Sequence, residues 1–308
     1  MVPKLKENLG NINIAGTVRF DEPMAEHTTF RVGGPADVYV RPQSAGDVQR
    51  VLELGRRENA RVFTLGGGAN ILVSDAGIRG IVMDMRDFAE ITVAAHQDRA
   101  RVGAGLPVSD AAAELADRGL AGLDFLYAMP GSVGGAVWMN ARCYGSSIID
   151  ILESVEIVTA EGDAQTYVPR EGDFDYKVSP FQTNGAVILA ATIRVWEEEP
   201  RAIWERMREH EEDRTTKGHF SGPSAGSVFK NNRAFGRPSG KIIDSLGLRG
   251  YQIGGARISD QHANIIINTG TATARDIREL IEFVETQVQE RLGLRLEREV
   301  LYAGDWGS

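Results

Sequence analysis

Clustered glycine is the feature that most limits what this chain can fold into. The 308 residues hold 35 glycines, about 11% against a usual value near 7%. Much of the excess is gathered in short runs, chiefly Gly66-Gly67-Gly68-Ala69-Asn70 and Pro130-Gly131-Ser132-Val133-Gly134-Gly135-Ala136. Glycine lacks a Cβ, so such runs let the backbone turn tightly or approach another group closely. Around them the chain alternates short strands with helices, which points to a mixed α+β architecture.

Composition closes off several classes. Hydrophobic residues make up 42% and charged residues 25%, the profile of a globular chain and not of a coiled coil, a collagen or a disordered segment. The length suggests about two domains and suffices for a sizeable core. A formal net charge of −9 excludes the basic footprint of a general nucleic-acid binder. The single cysteine, Cys143, allows no internal disulfide and no cysteine metal cluster. Alone, it reads as a small packed residue. The five histidines show no metal-ligand spacing, so no metal is expected. Residues 1–8 carry no apolar signal core, and no apolar run nears the roughly 18–20 residues of a membrane span. The expectation is a reduced, cytoplasmic, soluble protein, a monomer, with no membrane or nucleic-acid partner.

Local signals mark the elements. Ser44 can cap a helix over 44–60, with Val48, Val51 and Leu52 on one face. Strands are expected at 61–65, 71–74 and 80–84. A helix over 109–118 ends at Gly119. Residues 151–196 read as mainly β. Pro200 opens a charged helix to about Arg214, with Ile203, Trp204 and Met207 as a thin apolar stripe. Ser239 can cap a helix bearing Ile242, Ile243 and Leu246, and 263–268 is strand-like. Thr273 caps an amphipathic helix that stops at Gly293, and a last strand is expected over 294–301.

Four segments offer chemistry. A strand that ends in Gly66-Gly67-Gly68-Ala69-Asn70 can present backbone N–H groups to a phosphate; the alternative is a tight turn between strands. The run Pro130 to Ala136 can lie close to a flat ligand, or can be a packing corner. In Pro223-Ser224-Ala225-Gly226-Ser227-Val228-Phe229-Lys230-Asn231, Ser227 is either a proton donor or a turn residue. In Leu296-Glu297-Arg298-Glu299-Val300 the two carboxylates share a strand face, for acid–base work or simply for solvent.

Taken in order, these segments resemble the UDP-N-acetylenolpyruvoylglucosamine reductase family. Thr28-Thr29-Phe30-Arg31-Val32-Gly33-Gly34-Pro35-Ala36-Asp37, Tyr251-Gln252-Ile253-Gly254-Gly255-Ala256 and His262-Ala263-Asn264 extend the match, from about residue 20 to residue 302. The resemblance implies a two-lobed FAD-binding unit of the vanillyl-alcohol-oxidase/PCMH type, in lobes 1–88 and 89–205. A C-terminal α+β substrate-binding domain over 206–308 would follow. It implies NADPH as hydride donor and UDP-N-acetylglucosamine enolpyruvate as substrate, reduced to UDP-N-acetylmuramate for peptidoglycan synthesis. By resemblance Ser227 donates the proton and Glu299 assists it. The flavin is met by Arg31, Gly33, Gly66, Gly67, Gly68, Ala69, Asn70, Pro130, Gly131, Ser132, Gly134, Gly135 and Asn140. The substrate is met by Tyr176, Lys217, Asn231 and His262.

Two departures stand out. The family usually shows Tyr-Arg-x-Ser where this chain has Tyr176-Lys177-Val178-Ser179, and that arginine polarises the substrate carboxylate. Lysine keeps the charge and loses the planar fork. The family commonly has Met-Asn-Ala-Gly-Ala-Tyr-Gly where this chain has Met139-Asn140-Ala141-Arg142-Cys143-Tyr144-Gly145. Either Arg142 supplies the missing guanidinium, or Lys177 acts alone as a point charge. The spacing from Lys177 to Ser227 leaves no room for the family's long covering loop, which places the chain in the short-loop class. Two other readings are an oxidoreductase of the same fold with another substrate, and a flavin- and UDP-sugar-binding protein that has lost catalysis.

Overall fold

Each glycine run ends one secondary-structure element and opens the next, so the elements are short and the sheets are several. The computed structural model describes Leu5 and residues 13–307; apart from Leu5, the stretch read for a signal core lies outside them. The described residues form two compact units. One takes those within 1–22, 37–67 and 79–211, the other those within 23–36, 68–78 and 212–308.

The first unit has two layers of sheet with helices. Strands β1 (Thr17–Pro23), β2 (Pro35–Arg41), β3 (Val62–Leu65) and β5 (Ile78–Asp84) make a sheet in the order β1-β2-β5-β3. Helix α1 (Ala45–Arg57) is capped by Ser44, whose Oγ accepts from the Asp47 N–H. Its face of Val48, Val51 and Leu54 packs on Val38 and Val40 of β2 and on Ile81 and Met83 of β5. β3 runs parallel to β5, which sends the chain out of β3 directly into the first glycine run.

A second sheet follows in the order β12-β11-β13-β7-β6, built from β6 (Ile91–Val93), β7 (Arg99–Gly103), β11 (Leu152–Val158), β12 (Ala164–Tyr167) and β13 (Val187–Arg194). All its pairings are antiparallel. Helices α2 (Val108–Asp117) and α3 (Val133–Trp138) cover it. Two-stranded pairs complete the unit: β8 (Leu120–Ala121) with β14 (Trp196–Glu197), and β9 (Arg142–Cys143) with β10 (Ser146–Ser147). Gly119, at φ +70°, follows α2 as a left-handed terminator. In α4 (Pro200–Thr216) the expected apolar stripe is real: Ile203 and Met207 are fully buried, and the Trp204 indole N–H donates to Asp117 at 2.9 Å.

The second unit joins β4 (Ile71–Val73) in parallel to the C-terminal β18 (Leu301–Ala303). It also holds a sheet of β15 (Gln252–Ile253), β16 (Ala256–Ile258) and β17 (Ile266–Asn268). Helix α6 (Ala274–Leu292) has a Thr273–Asp276 capping box and ends at Gly293 in the left-handed region. Its face of Ile277, Leu280, Ile281, Val284 and Val288 is fully buried against Ile242 and Ile243 of α5 (Ser239–Asp244) and against Phe229.

Three local expectations need correction. Ser239 is the first residue of α5, not its cap; Pro238 holds the cap position and Ser239 Oγ donates to the Lys230 carbonyl at 2.6 Å. The strand expected from 263 starts at Ile266, because Ala263 and Asn264 form a turn. The last strand starts at Leu301. Before it, the Val228 carbonyl accepts from both Glu299 N–H (2.7 Å) and Val300 N–H (3.3 Å), so two residues oppose one and the ladder is interrupted.

Candidate active site

In the first unit, the two glycine runs read separately from the sequence touch. A Cβ placed on Gly67 would lie 2.6 Å from Gly131 Cα and 3.0 Å from the Ser132 backbone nitrogen; one on Gly66 would lie 2.5 Å from Ser132 Oγ. Backbone is therefore packed on backbone. Gly131 has φ +116°, and a Cβ on Gly134 would lie 2.8 Å from Ala104 Cβ, which makes it a packing glycine. Ser132 is buried and its Oγ caps α3 by accepting from the Gly135 N–H at 3.3 Å. Among the described residues, the N–H groups of Gly66, Gly67, Gly131 and Ser132 are given to no backbone carbonyl. Four outstanding N–H donors on two touching loops make a nest for an anion. The absence of Cβ atoms at Gly66 and Gly67 lets the two loops meet, and N–H donors gathered on both loops suit the diphosphate of the FAD that the sequence implies. Pro130, exposed, leads into the loop.

Beside this cradle, α3 ends in a cluster of side-chain amides. Asn140, only 5% exposed and at φ +41°, donates through Nδ2 to the Asp175 carbonyl (2.8 Å) and accepts at Oδ1 from the Ile149 N–H (3.3 Å). Both ends of the amide suggested for the flavin are thus engaged by backbone. Tyr176 and Lys177 are the two central residues of a turn closed by Asp175 and Val178. Arg142 is exposed on the β9–β10 hairpin and donates to Ser147 Oγ at 3.4 Å. Tyr144 and Gly145, both left-handed, form the hairpin tip; the Tyr144 ring stacks on His210 at 3.8 Å and its hydroxyl donates to the His210 carbonyl.

In the second unit, the segments that carry Ser227 and Glu299, 72 residues apart in sequence, are brought together through the Val228 carbonyl, which accepts from the Glu299 N–H. Residues 227–230 run between two neighbours. Ser227 bridges Ile265, Phe229 bridges Arg298, and the Val228 carbonyl takes the Glu299 N–H. Asn264 holds this arrangement from within the core: its amide donates to the Phe229 carbonyl (2.8 Å) and accepts from the Phe229 N–H (3.0 Å). The two terminal acids differ in their surroundings. Glu297 is exposed and pairs with Lys230, whereas Glu299 is half-buried. Arg298 faces the other way, in a bidentate pair with Glu285.

The Asn70 side chain donates to the Glu299 carbonyl at 3.0 Å, and the Leu301 N–H donates to the Asn70 carbonyl. Gly68, at φ +62°, leaves no room for a Cβ against the His27 carbonyl, 2.0 Å away; Ala69 follows it half-buried. Gly33 packs against Val73, and Arg31 is exposed at φ +57°. A basic group gathers around His262: its ring lies 5.3 Å from that of His219, and Lys217 pairs with Asp213 at 2.7 Å. Burial, aided by Arg214, His262 and Lys217, pushes His219 down to about 4; burial likewise lowers His262. His262 Nδ1 accepts from the Asn264 N–H, which leaves Nε2 as the protonated nitrogen of the neutral ring. Asn231 accepts from the Ser239 N–H at 2.9 Å. Sequence reasoning missed His219 and Asn264; for Asn264 the signal was its place in the quoted His262-Ala263-Asn264 motif.

The fold is that of an FAD-binding unit of the vanillyl-alcohol-oxidase/PCMH type with an added C-terminal domain. The family model described as an FAD binding domain matches residues 36–167, and that of the UDP-N-acetylenolpyruvoylglucosamine reductase C-terminal domain matches residues 217–303. The UDP-N-acetylenolpyruvoylglucosamine reductase of Treponema denticola is 39% identical over 307 residues, with 95% of each chain covered. That of Oceanobacillus iheyensis is 40% identical over 301 residues, covering 98% of this chain and 97% of its own. The crystal structure of the Thermus caldophilus enzyme superposes with a TM-score of 0.80 at 32% identity, over 94% of this chain and all of that one. The chain belongs to the UDP-N-acetylenolpyruvoylglucosamine reductase family.

Proposed function

We infer that this chain is an FAD-dependent oxidoreductase that uses NADPH to reduce the enolpyruvyl ether of UDP-N-acetylglucosamine to UDP-N-acetylmuramate. The observation that supports the chemistry is the meeting of the segments that carry Ser227 and Glu299, where the Val228 carbonyl accepts from the Glu299 N–H and Phe229 bridges Arg298. FAD, when bound, supplies the hydride chemistry; the chain supplies binding, orientation and proton delivery.

Hydride addition at C3 of the enolpyruvyl group leaves an electron pair at C2, delocalised into the carboxylate as an enolate. We assign delivery of the C2 proton to the Ser227 hydroxyl: its O–H bond breaks as the C2–H bond forms, and the serine is reprotonated from solvent. Serine is a weak acid, but an enolate is basic enough to take its proton. Glu299 is assigned to assist that transfer. The growing carboxylate charge calls for a fixed cation, and we assign it to Lys177. The sugar-nucleotide portion is assigned to Tyr176, Lys217, Asn231 and His262.

For the cofactor, the N–H groups of Gly66, Gly67, Gly131 and Ser132 are assigned to the diphosphate. Arg31, Gly33, Gly68, Ala69, Asn70, Pro130, Gly134, Gly135 and Asn140 are assigned to shaping the flavin site. We keep 1–88 and 89–205 as the flavin lobes and 206–308 as the substrate-binding domain, acting as a monomer in the cytoplasm. Among the described residues no helix is long and apolar enough to cross a membrane. Turnover in D2O tests the proton assignment. The product should carry one solvent deuterium at C2, and Ser227→Ala should slow its delivery by about 10²–10⁴-fold without slowing reduction by NADPH. A Ser227→Ala enzyme that turns over at the parent rate removes the assignment.

A further inference from the structure

The turn that carries Lys177 is strained where strain is least expected. Asp175 and Val178 close it in both directions, with N–H to carbonyl distances of 3.2 and 3.0 Å. Its third residue, Lys177, has φ +60°, in the left-handed region. A turn with positive φ at that position normally takes glycine or asparagine. A long β-substituted side chain stays there only when its surroundings over-determine the backbone.

Two side-chain amides supply that constraint. Gln182 Nε2 donates to the Lys177 carbonyl at 2.9 Å and to the Trp138 carbonyl at 2.9 Å, which uses both of its N–H bonds. The buried Asn140 amide donates to the Asp175 carbonyl at 2.8 Å, and its own orientation is fixed by the Ile149 N–H. Ser179 Oγ, donating to the Trp138 carbonyl at 2.7 Å, ties the exit of the turn to the same helix end. The turn is thus gripped at its first and third residues from the C-terminal end of α3. Tyr176 and Val178 are exposed.

We propose that Gln182 and Asn140 are positioning residues, which hold the Tyr176–Lys177 turn so that the Lys177 ammonium meets the substrate carboxylate. This rests on the assignment of Lys177 to that carboxylate. Neither amide touches a reacting atom; both act through the backbone of the lysine. A loosened turn leaves the charge in place and lets it wander, which costs rate steeply because the ammonium must sit within about an ångström of its target.

The test uses the holoenzyme and separates the two half-reactions by stopped flow. The variants are Gln182→Leu, which keeps the shape and loses both donors, and Asn140→Asp, which keeps the acceptor for Ile149 and loses the donor. Reoxidation of NADPH-reduced enzyme by the enolpyruvyl sugar nucleotide should slow by about 10- to 100-fold in either. In Gln182→Leu, reduction by NADPH and retention of FAD should stay within about twofold; in Asn140→Asp only the reoxidation rate is compared. In a Lys177→Ala background, Gln182→Leu should add nothing further, the signature of action through that side chain. Multiplicative slowing in that background overturns the proposal, as does equal loss in both half-reactions. If Lys177→Ala alone leaves reoxidation unchanged, the assignment beneath the proposal fails and the proposal fails with it. Should Gln182→Leu not fold, Gln182→Met, which also lacks both donors, carries the same comparison.

Discussion

Replacing Gly67 by alanine tests the anion cradle at its tightest point. Gly67 is not among the residues with positive φ, so alanine suits its backbone and the effect is steric. The added methyl would sit 2.6 Å from Gly131 Cα, 2.8 Å from Gly131 C and 3.0 Å from the Ser132 nitrogen. Ordinary carbon contacts lie at about 3.5–4.0 Å, so the two loops must part by about 1 Å. Overpacking of this kind costs about 1–3 kcal/mol of stability. The same displacement carries the Gly67 and Ser132 N–H groups out of hydrogen-bond range of a diphosphate. Bonds to a charged group contribute about 1.5–3 kcal/mol each. Loss of one or two should weaken FAD binding by roughly 10-fold to about 10⁴-fold. The assay is titration of flavin-stripped protein with FAD, followed by flavin fluorescence, with apoprotein melting measured separately. Gly46→Ala in α1 is the control, since its nearest neighbour is the flexible tip of Arg50 at 3.5 Å. It should leave the FAD Kd unchanged and raise stability slightly. A Gly67→Ala protein that binds FAD within about twofold of the parent would refute the cradle.

Three further outcomes follow from the geometry. Lys177→Ala should abolish turnover while Arg142→Ala retains it, because the Arg142 guanidinium is exposed and bonded to its own hairpin; steady-state rates of both variants decide, and the reverse pattern would favour Arg142 as the cation. Asp75→Ala should cost about 1–2 kcal/mol, read as a lower melting temperature, since the Asp75 carboxylate accepts from the Ala274 and Arg275 N–H groups at the start of α6 (2.8 and 2.9 Å). Stability should be full above about pH 6.5 and fall as the pH drops toward 4. Over that range the unfolded chain takes up protons that His219 and His262 refuse in the folded one. Melting curves against pH should show this slope, and His219→Asn should flatten it.

What could be read from the sequence was whatever is encoded locally. Ser44, Gly119, Thr273 and Gly293 mark helix ends through groups within four residues, and each does so in the structure. The Gly66 and Gly131 runs were legible as backbone-exposing loops, but their mutual contact was not, because no periodicity links residues 64 positions apart. The same limit explains the two asparagines. Asn70 and Asn140 could be placed in their motifs, but their bonds to the Glu299 and Asp175 carbonyls, 229 and 35 residues away, could not be read there. The last strand was expected too early because alternation of Leu296, Arg298 and Val300 is genuine, with Leu296 and Val300 buried, while the doubled acceptor at Val228 that interrupts the ladder leaves no trace in composition. The strain at Lys177 was invisible because nothing in the sequence reports φ.

The most direct test of the central claim is an anaerobic visible spectrum of the purified holoenzyme, recorded before NADPH, after it, and after addition of the enolpyruvyl sugar nucleotide. The flavin band should bleach with NADPH and return only with the sugar nucleotide, with UDP-N-acetylmuramate formed in equal amount. A band that bleaches and does not return with that substrate would contradict the reductase assignment, and a protein that cannot be loaded with FAD would contradict the cradle as well.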